Sequence, residues 1–124
     1  MFRKKIFLLS SVGILFFLNN CGGSDKKPED VVKDVEYSLC EGKIDKQDVT
    51  MRTQKLLSML PLNEYAKLCK KRKGIADIKV ETHKINDTTL EYTALIKFGD
   101  GTETTDHGYI VKTNEGWKLD VKKQ

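Results

Sequence analysis

The residues best suited to chemistry lie in the second half of the chain. Asp106 and His107 are adjacent, and Tyr92 and Tyr109 occupy neighbouring segments. A carboxylate or an imidazole acts as a general base when a buried pocket shifts its pKa toward neutrality. Adjacent strand residues point to opposite faces, so only one of Asp106 and His107 can face such a pocket. These four are candidates for catalysis; an exposed or structural role is the competing interpretation.

Metal and cofactor motifs are absent from the sequence. The two histidines, His83 and His107, are far apart and have no neighbouring thiols in a zinc spacing. The chain also has no glycine-rich phosphate loop before a helix, no serine elbow and no Cys-x-x-Cys motif. We therefore predict neither a metal nor a cofactor.

The first twenty residues have the layout of an export signal. Arg3, Lys4 and Lys5 precede an apolar run over 6–18, which ends at Leu18-Asn19-Asn20-Cys21. The apolar run is shorter than the roughly 20 residues that cross a bilayer, so an uncleaved membrane helix fits less well. This pattern predicts a signal peptide over residues 1–20.

Leu18-Asn19-Asn20-Cys21 resembles the lipobox of bacterial lipoproteins, although Asn20 stands where Gly, Ala or Ser is usual. The resemblance implies acylation of Cys21 and a lipid-anchored location in the cell envelope, facing the periplasm. Stable anchoring requires more than one acyl chain. By resemblance to the sorting rule of enteric bacteria, Gly22 after the cysteine favours the outer membrane. Residues 21–27, which begin with Cys21, Gly22 and Gly23, read as a flexible tether.

With Cys21 assigned to the anchor, Cys40 and Cys69 remain as an even pair. Outside the cytoplasm disulfides persist, so this pair is a candidate disulfide. Closing a loop of this length would contribute about 3 to 4 kcal/mol. Two buried thiols are the alternative, since spacing alone does not show that the Cα atoms are within reach.

The charge and length of the remaining chain limit its possible partners and the number of its domains. The net charge is +4, and three of these charges are Arg3, Lys4 and Lys5 in the signal. The mature chain is therefore close to neutral, which gives no electrostatic reason to expect nucleic acid as a partner. After the signal and tether, residues 28–122 suffice for a single small domain with one core.

The first half of this domain reads as three helices. Pro28 opens a helix over 28–41, with Val31, Val32, Val35 and Leu39 on its apolar face and Glu36 away from it. A second helix is expected over 45–60, from a cap at Asp45 to the stop at Pro61. Asn63 is a candidate cap for a third helix, which Gly74 ends.

After Gly74 the apolar period changes from helical to alternating, which indicates four strands. The second is the clearest: Leu90, Tyr92, Ala94, Ile96 and Phe98 point inward. Gly99-Asp100-Gly101 indicates a hairpin between the second strand and a third over 102–113. In the fourth strand, Trp117, Leu119 and Val121 are expected on one face, opposite Asp120. The order predicts an α+β domain with helices on one face of a curved antiparallel sheet.

The layout and the closing Gly116-Trp117-Lys118-Leu119-Asp120 resemble small bacterial lipoproteins that carry an uncharacterised domain. That domain is similar to the cystatin-like and nuclear-transport-factor-2-like superfamily. The resemblance implies a sheet that wraps a long helix and an envelope location, and no established activity. Related folds include cone-shaped isomerases as well as members that only bind or support partners.

Two hypotheses of function follow from these patterns. The first is a non-enzymatic, lipid-anchored binding or accessory protein, whose partner is an envelope protein or a small apolar ligand. The second is a cone-shaped isomerase that uses Asp106 or His107 with Tyr92 or Tyr109. A purely structural or assembly role is a third possibility. An enclosed cavity containing Asp106 or His107 beside a tyrosine favours the enzyme, and a cone filled by Tyr92, Phe98 and Trp117 contradicts it.

Overall fold

The computed structural model describes residues 26–121. Three helices, α1 (Pro28–Cys40), α2 (Met51–Leu57) and α3 (Leu62–Lys71), precede four strands. The strands are β1 (Ile75–Asn86), β2 (Thr89–Phe98), β3 (Glu103–Thr113) and β4 (Gly116–Asp120). The predicted signal peptide over 1–20, the acylation site Cys21 and the tether as far as residue 25 lie outside the described residues.

The strands form one antiparallel sheet in the order β1-β2-β3-β4, so each strand pairs with its neighbour in sequence. The hairpin between β2 and β3 turns at Gly101, whose φ of 91° favours glycine. Asp100 fixes this turn by accepting bonds from the backbone N–H and the hydroxyl of Thr102, at 2.9 and 2.6 Å. The predicted α+β class, with helices on one face of a curved antiparallel sheet, is confirmed.

The core lies between α1 and the inner face of the sheet. Val31, Val32 and Val35 of α1 are buried, as the helical spacing predicts. The inner face of the sheet supplies the other half, chiefly Tyr92, Ala94, Ile96, Phe98, Ile110 and Leu119. The alternation predicted for β2 is present: all but Leu90 of its inward set are fully buried, and Leu90 is half-buried.

The second helix is shorter than the sequence predicts. It begins at Met51, after Thr50, whose hydroxyl accepts a bond from the Thr53 N–H. The preceding segment pairs with β4 instead: Leu119 donates to the Asp48 carbonyl at 2.7 Å and accepts from Thr50 at 3.0 Å. Asp45 is therefore not a helix cap, because tertiary pairing with β4 outweighs the local preference for a helix. Likewise, α3 begins at Leu62 after Pro61, so Asn63 lies inside the helix and does not cap it.

Two acidic residues expected to face solvent are buried. Glu36 is 2% exposed, although the helical pattern placed it off the apolar face. Asp120 is fully buried and Val121 is exposed, whereas Leu119, predicted on the same face as Val121, is buried in the core. Asp120 is held by polar groups of α2 and its cap: it accepts bonds from the Thr50 hydroxyl, the Thr53 hydroxyl and the Arg52 guanidinium. These donors compensate the cost of burying the carboxylate.

A covalent link joins the first and third helices. Cys40, the last residue of α1, is bonded to Cys69 near the end of α3, and their Cα atoms lie 5.5 Å apart. The chain reverses direction after α1 at Gly42, whose φ of 79° lies in the left-handed region that favours glycine. Between residues 26 and 121, no helix combines the length and the apolar character needed to cross a bilayer.

Candidate functional site

A cavity of about 690 Å³ opens between the helices and the inner face of the sheet. Its wall is made of aliphatic residues from α1, α2, α3 and the connection between α2 and α3: Val35, Leu39, Leu56, Leu57, Leu60, Pro61, Leu62 and Leu68. Three of these leucines remain close to half exposed at the opening: Leu56, Leu60 and Leu68. This volume lies within the range of small-molecule sites, about 300 to 1,000 Å³, and such sites are mainly apolar.

Two carboxyl groups meet in the wall of the cavity. Glu36 projects from α1 and Asp106 from β3, and the two side chains lie within hydrogen-bonding range. Burial, together with the hydrogen bond to Asp106 and its negative charge, raises the pKa of Glu36 to about 9. At neutral pH Glu36 therefore keeps its proton, because burial and the neighbouring Asp106 both disfavour its ionised form.

One oxygen of this pair is unsatisfied. Within residues 26–121, no N–H or hydroxyl group donates to Oε2 of Glu36, although the atom is buried. An unpartnered buried acceptor costs roughly 1 to 3 kcal/mol, so native proteins rarely retain one without a reason. Here the side chain lines a cavity, which leaves room for a donor from a bound molecule.

Two tyrosines flank the carboxyl pair. Burial, with the negative charges of Glu36 and Asp106, raises the pKa of Tyr65 to about 12. Burial and the same two carboxyl groups raise the pKa of Tyr92 well above its ordinary value. Both phenols therefore stay protonated across the neutral range and offer O–H groups toward the cavity.

Gly108 is the reason that the Tyr92 ring can lie flat against β3. It is the cross-strand partner of Tyr92, and a Cβ atom there would approach Cε2 of the ring to 2.7 Å and its hydroxyl to 2.9 Å. Any side chain at this position would push the ring away from the strand. The missing side chain therefore keeps the tyrosine at the cavity wall and leaves the space beside Asp106 open.

The structure separates the four candidate residues predicted from the sequence. Asp106 and Tyr92 line the cavity together. His107 touches the cavity rim, but its side chain is on the outer face, where Nδ1 lies 3.2 Å from the Thr93 hydroxyl. Tyr109 is half-buried and is not among the lining residues. Only one of the adjacent pair thus faces the cavity, as strand geometry requires.

Three residues of the site were missed in the sequence: Glu36, Tyr65 and Gly108. The placement of Glu36 away from the apolar face was wrong, and a signal existed, since it lies four residues after Val32 and three before Leu39. Those spacings put it at the edge of the buried stripe. No comparable signal marks Gly108, because its role depends on the register between β2 and β3.

Away from the cavity, three carboxylates gather around a lysine. Oxygens of Asp34, Asp45 and Asp48 lie within 4.8 Å of one another. The Lys26 ammonium bonds to Asp48 at 2.5 Å and to Asp34 at 2.6 Å. Burial alone would lower the pKa of Lys26, but hydrogen bonds to Asp34 and Asp48 raise it above its ordinary value. A lysine that remains charged thus pairs with two of the three carboxylates, and the cluster by itself does not indicate a metal ion.

Together, the helices packed on a curved four-stranded sheet and the cavity between them define an NTF2-like α+β fold. A crystal structure of a Campylobacter jejuni protein named as an NTF2-like transpeptidase is similar, with a TM-score of 0.61 and 18% sequence identity. The match covers 78% of this chain and 100% of that chain. At this identity the likeness shows the fold alone. No protein-family model and no curated protein matches the chain.

Proposed function

We propose that the domain binds a small, mainly apolar molecule in the cavity and serves a binding or accessory role, without catalysis. The observation that carries this proposal is an open cavity with an aliphatic wall and a buried carboxyl oxygen that no described group satisfies. Leucines left half exposed at the opening gain free energy when a ligand covers them, at about 25 cal/mol per Å² of apolar surface. The acceptor in the wall would then orient the ligand.

A fluorescent probe with a neutral, apolar ring system tests this proposal. N-phenyl-1-naphthylamine should bind with an increase in fluorescence, and Leu60→Asp should weaken its binding at least tenfold by placing a charge at the opening. The matched control is Met59→Asp. Met59 is 76% exposed and does not line the cavity, whereas its neighbour Leu60 is 49% exposed and does. Equal effects of the two substitutions, or no binding by the unchanged protein, would contradict the proposal.

An acid–base enzyme of the isomerase type is the second candidate, because Asp106 lies in an open cavity beside Glu36 and Tyr92. The cavity is not filled by aromatic side chains, which keeps this alternative open. In this scheme Asp106 removes a proton from the α-carbon of a β,γ-unsaturated ketone and returns it to the γ-carbon, while neutral Glu36 and Tyr92 donate to the carbonyl oxygen. The test is conversion of a β,γ-unsaturated ketone to its α,β isomer, which Asp106→Asn should abolish.

The transpeptidase name of the similar structure gains little support from these residues. Transpeptidation through an acyl-enzyme needs an activated serine or cysteine. Within residues 26–121, Ser38 and Ser58 do not line the cavity, and Cys40 and Cys69 are bonded to each other. The carboxyl pair is not a substitute for that nucleophile, so a binding role accounts for the site better.

For the location, we propose a bacterial cell envelope, with the mature chain anchored by acylated Cys21 and facing the periplasm. The support is the sequence: the charged start, the apolar run and the lipobox-like junction. The disulfide between Cys40 and Cys69 fits an oxidising compartment. An envelope protein is a further partner that such an anchored domain would meet.

A further inference from the structure

The carboxyl pair distinguishes this cavity from a purely apolar one, and it is the feature that indicates a class of ligand. Four acidic residues line the cavity, namely Glu36, Glu64, Asp106 and Asp120. No lysine or arginine of residues 26–121 is among the lining residues. The Asp120 charge is balanced from α2 by Arg52. Near Glu36 and Asp106 the neighbouring groups are the phenols of Tyr65 and Tyr92, and the ring of His107, which touches the rim, lies on the outer face against Thr93. An anionic ligand would therefore meet repulsion here.

Glu36 is the second observation, and it bears on the ligand's donors. The side chain is 2% exposed, lines the cavity, and has an oxygen to which no described N–H or hydroxyl donates. A ligand that completes this site must bring a hydrogen-bond donor. An alcohol brings one donor and no charge. A primary ammonium group brings three donors and a positive charge, which suits two adjacent carboxyl groups.

We propose that the molecule bound in the cavity is a primary amine on an apolar body, with its ammonium group lodged between Glu36 and Asp106. This inference rests on the binding function proposed above and names its ligand class. The apolar body lies along the leucine wall, and the nitrogen donates to both carboxylates. No covalent bond forms or breaks. The ligand arrives already protonated, and the proton shared by the two carboxyl groups leaves to solvent.

The exchange of a proton for an ammonium group gives the binding a pH dependence. The titratable groups that face Glu36 are Asp106 from β3, Tyr92 from β2 and Tyr65 from α3. Arg72, at the end of α3, acts on Tyr65. The tyrosines stay neutral below pH 9, so among these groups Glu36 is the one that gives up a proton when the amine binds. We expect close to one proton to be released per amine bound at pH 7.5, and the affinity to rise as the pH increases from 6 to 8.5.

The experiment compares decylamine, decanol and decanoate, each below its micelle concentration, by calorimetry in buffers of different ionisation enthalpy. Decylamine should bind at least tenfold more tightly than decanol, and decanoate more weakly than both. Glu36→Gln should remove most of the preference for the amine, measured as the ratio of the decylamine and decanol affinities. The matched control is Glu64→Gln at the cavity rim, where the side chain is 72% exposed, and it should change the preference less than twofold.

The outcomes separate this inference from the proposed function. If decylamine and decanol bind equally, or if decanoate binds more tightly than either, the amine assignment is overturned. The proposed binding of apolar molecules stands in both cases. If decylamine, decanol and N-phenyl-1-naphthylamine all fail to bind, both the amine assignment and the proposed binding function are overturned. Proton release is measured on the unchanged protein, so the inference remains falsifiable even where Glu36→Gln fails to fold. Release of no proton at pH 7.5 contradicts the exchange.

Discussion

Glu36 shows how one buried side chain links stability to function. A carboxyl group that gave up its proton at this position would be both desolvated and repelled by Asp106. The folded chain avoids that cost by keeping the proton, which leaves a neutral donor and an unpartnered acceptor at the cavity wall. Glu36 therefore adds little to the stability of the fold but suits a binding site, and such a loss of stability is expected at functional positions.

The raised pKa of Glu36 makes stability depend on pH. Its pKa is about 9 in the folded protein against an ordinary value of 4.5. Between these values the folded chain holds a proton that the unfolded chain has lost, so the free energy of unfolding falls as the pH rises through this window. We expect the unchanged protein to lose at least about 2 kcal/mol relative to Glu36→Gln between pH 5 and pH 9, at about 1.4 kcal/mol per pKa unit.

Urea unfolding followed by circular dichroism at several pH values measures this difference. Glu41→Gln is the control, because Glu41 follows the same helix but is exposed, and it should run parallel to the unchanged protein. Parallel curves for Glu36→Gln and the unchanged protein across the whole range would show that Glu36 ionises normally when folded.

At the scale of elements, α2 depends on Asp120 for its place on the sheet. The Asp120 carboxylate is fully buried and accepts from the Thr50 hydroxyl at 2.9 Å, the Thr53 hydroxyl at 3.1 Å and Arg52 Nε at 2.8 Å. Removing it leaves the Arg52 guanidinium and the α2 hydroxyls without their shared acceptor. We expect Asp120→Ala to lower the free energy of unfolding by about 2 to 4 kcal/mol.

The control for Asp120 is another ion pair, at the surface. Asp87 pairs with Lys84, and its side chain is 94% exposed. Asp87→Ala should cost less than about 0.5 kcal/mol, because exposed ion pairs contribute little. Chemical unfolding of both variants gives the comparison, and a similar small loss for the two would mean that Asp120 does not fix α2 to β4.

The disulfide holds together the two helices that form one side of the cavity. It joins the end of α1 to α3 across a sequence separation of 29 residues. Restricting a loop of that size in the unfolded chain contributes about 3 to 4 kcal/mol. We therefore expect complete reduction to lower the melting temperature substantially. The double variant Cys40→Ala/Cys69→Ala should have a melting temperature close to that of the reduced protein, and the reductant should not change it.

Differential scanning calorimetry with and without a phosphine reductant measures this effect, with mass spectrometry to verify that reduction is complete. Probe binding at the cavity should weaken in parallel, since α1 carries Glu36 and α3 carries Tyr65. An unchanged melting temperature in the fully reduced protein would contradict a stabilising role for the bond.

The element order was predictable from the sequence because it depends on local signals. Pro28 starts α1, the alternation of β2 survives in the fold, and Asp100 between two glycines turns the hairpin. The second helix was mispredicted because the segment before it pairs with β4, about seventy residues away. Periodicity over a short window carries no information about that partner.

The site was less predictable than the fold, for a similar reason. Asp106 and Tyr92 could be selected by residue type, but their neighbour Glu36 comes from the other end of the domain. Its burial is decided by the packing of α1 on the sheet, which the helical pattern alone did not resolve. Residue type thus identified Asp106, and only the tertiary structure identified Glu36, the member of the pair whose pKa is raised.

At the scale of the whole molecule, the proposed lipid anchor depends on Cys21, which lies outside the described residues. The first described residue, Lys26, is already held to the domain, since its ammonium is bonded to Asp34 and Asp48. An anchor at Cys21 would therefore hold the domain within about 15 to 20 Å of a membrane, at roughly 3.3 to 3.6 Å per extended residue. At that distance, amphiphilic amines that partition into the bilayer would be able to reach the cavity.

Expression of the full chain in a bacterial host tests this anchor. We expect the protein to sediment with membranes and to dissolve only in detergent, and intact mass to show loss of residues 1–20 with acyl chains added at Cys21. Cys21→Ser should release the domain into the soluble fraction, because it removes the thiol that would carry the acyl chains. Cys40→Ala/Cys69→Ala, which retains Cys21, is the matched control and should stay with the membrane. A mature mass without acyl chains would overturn the anchor and leave the cavity's ligand class to be judged on calorimetry alone.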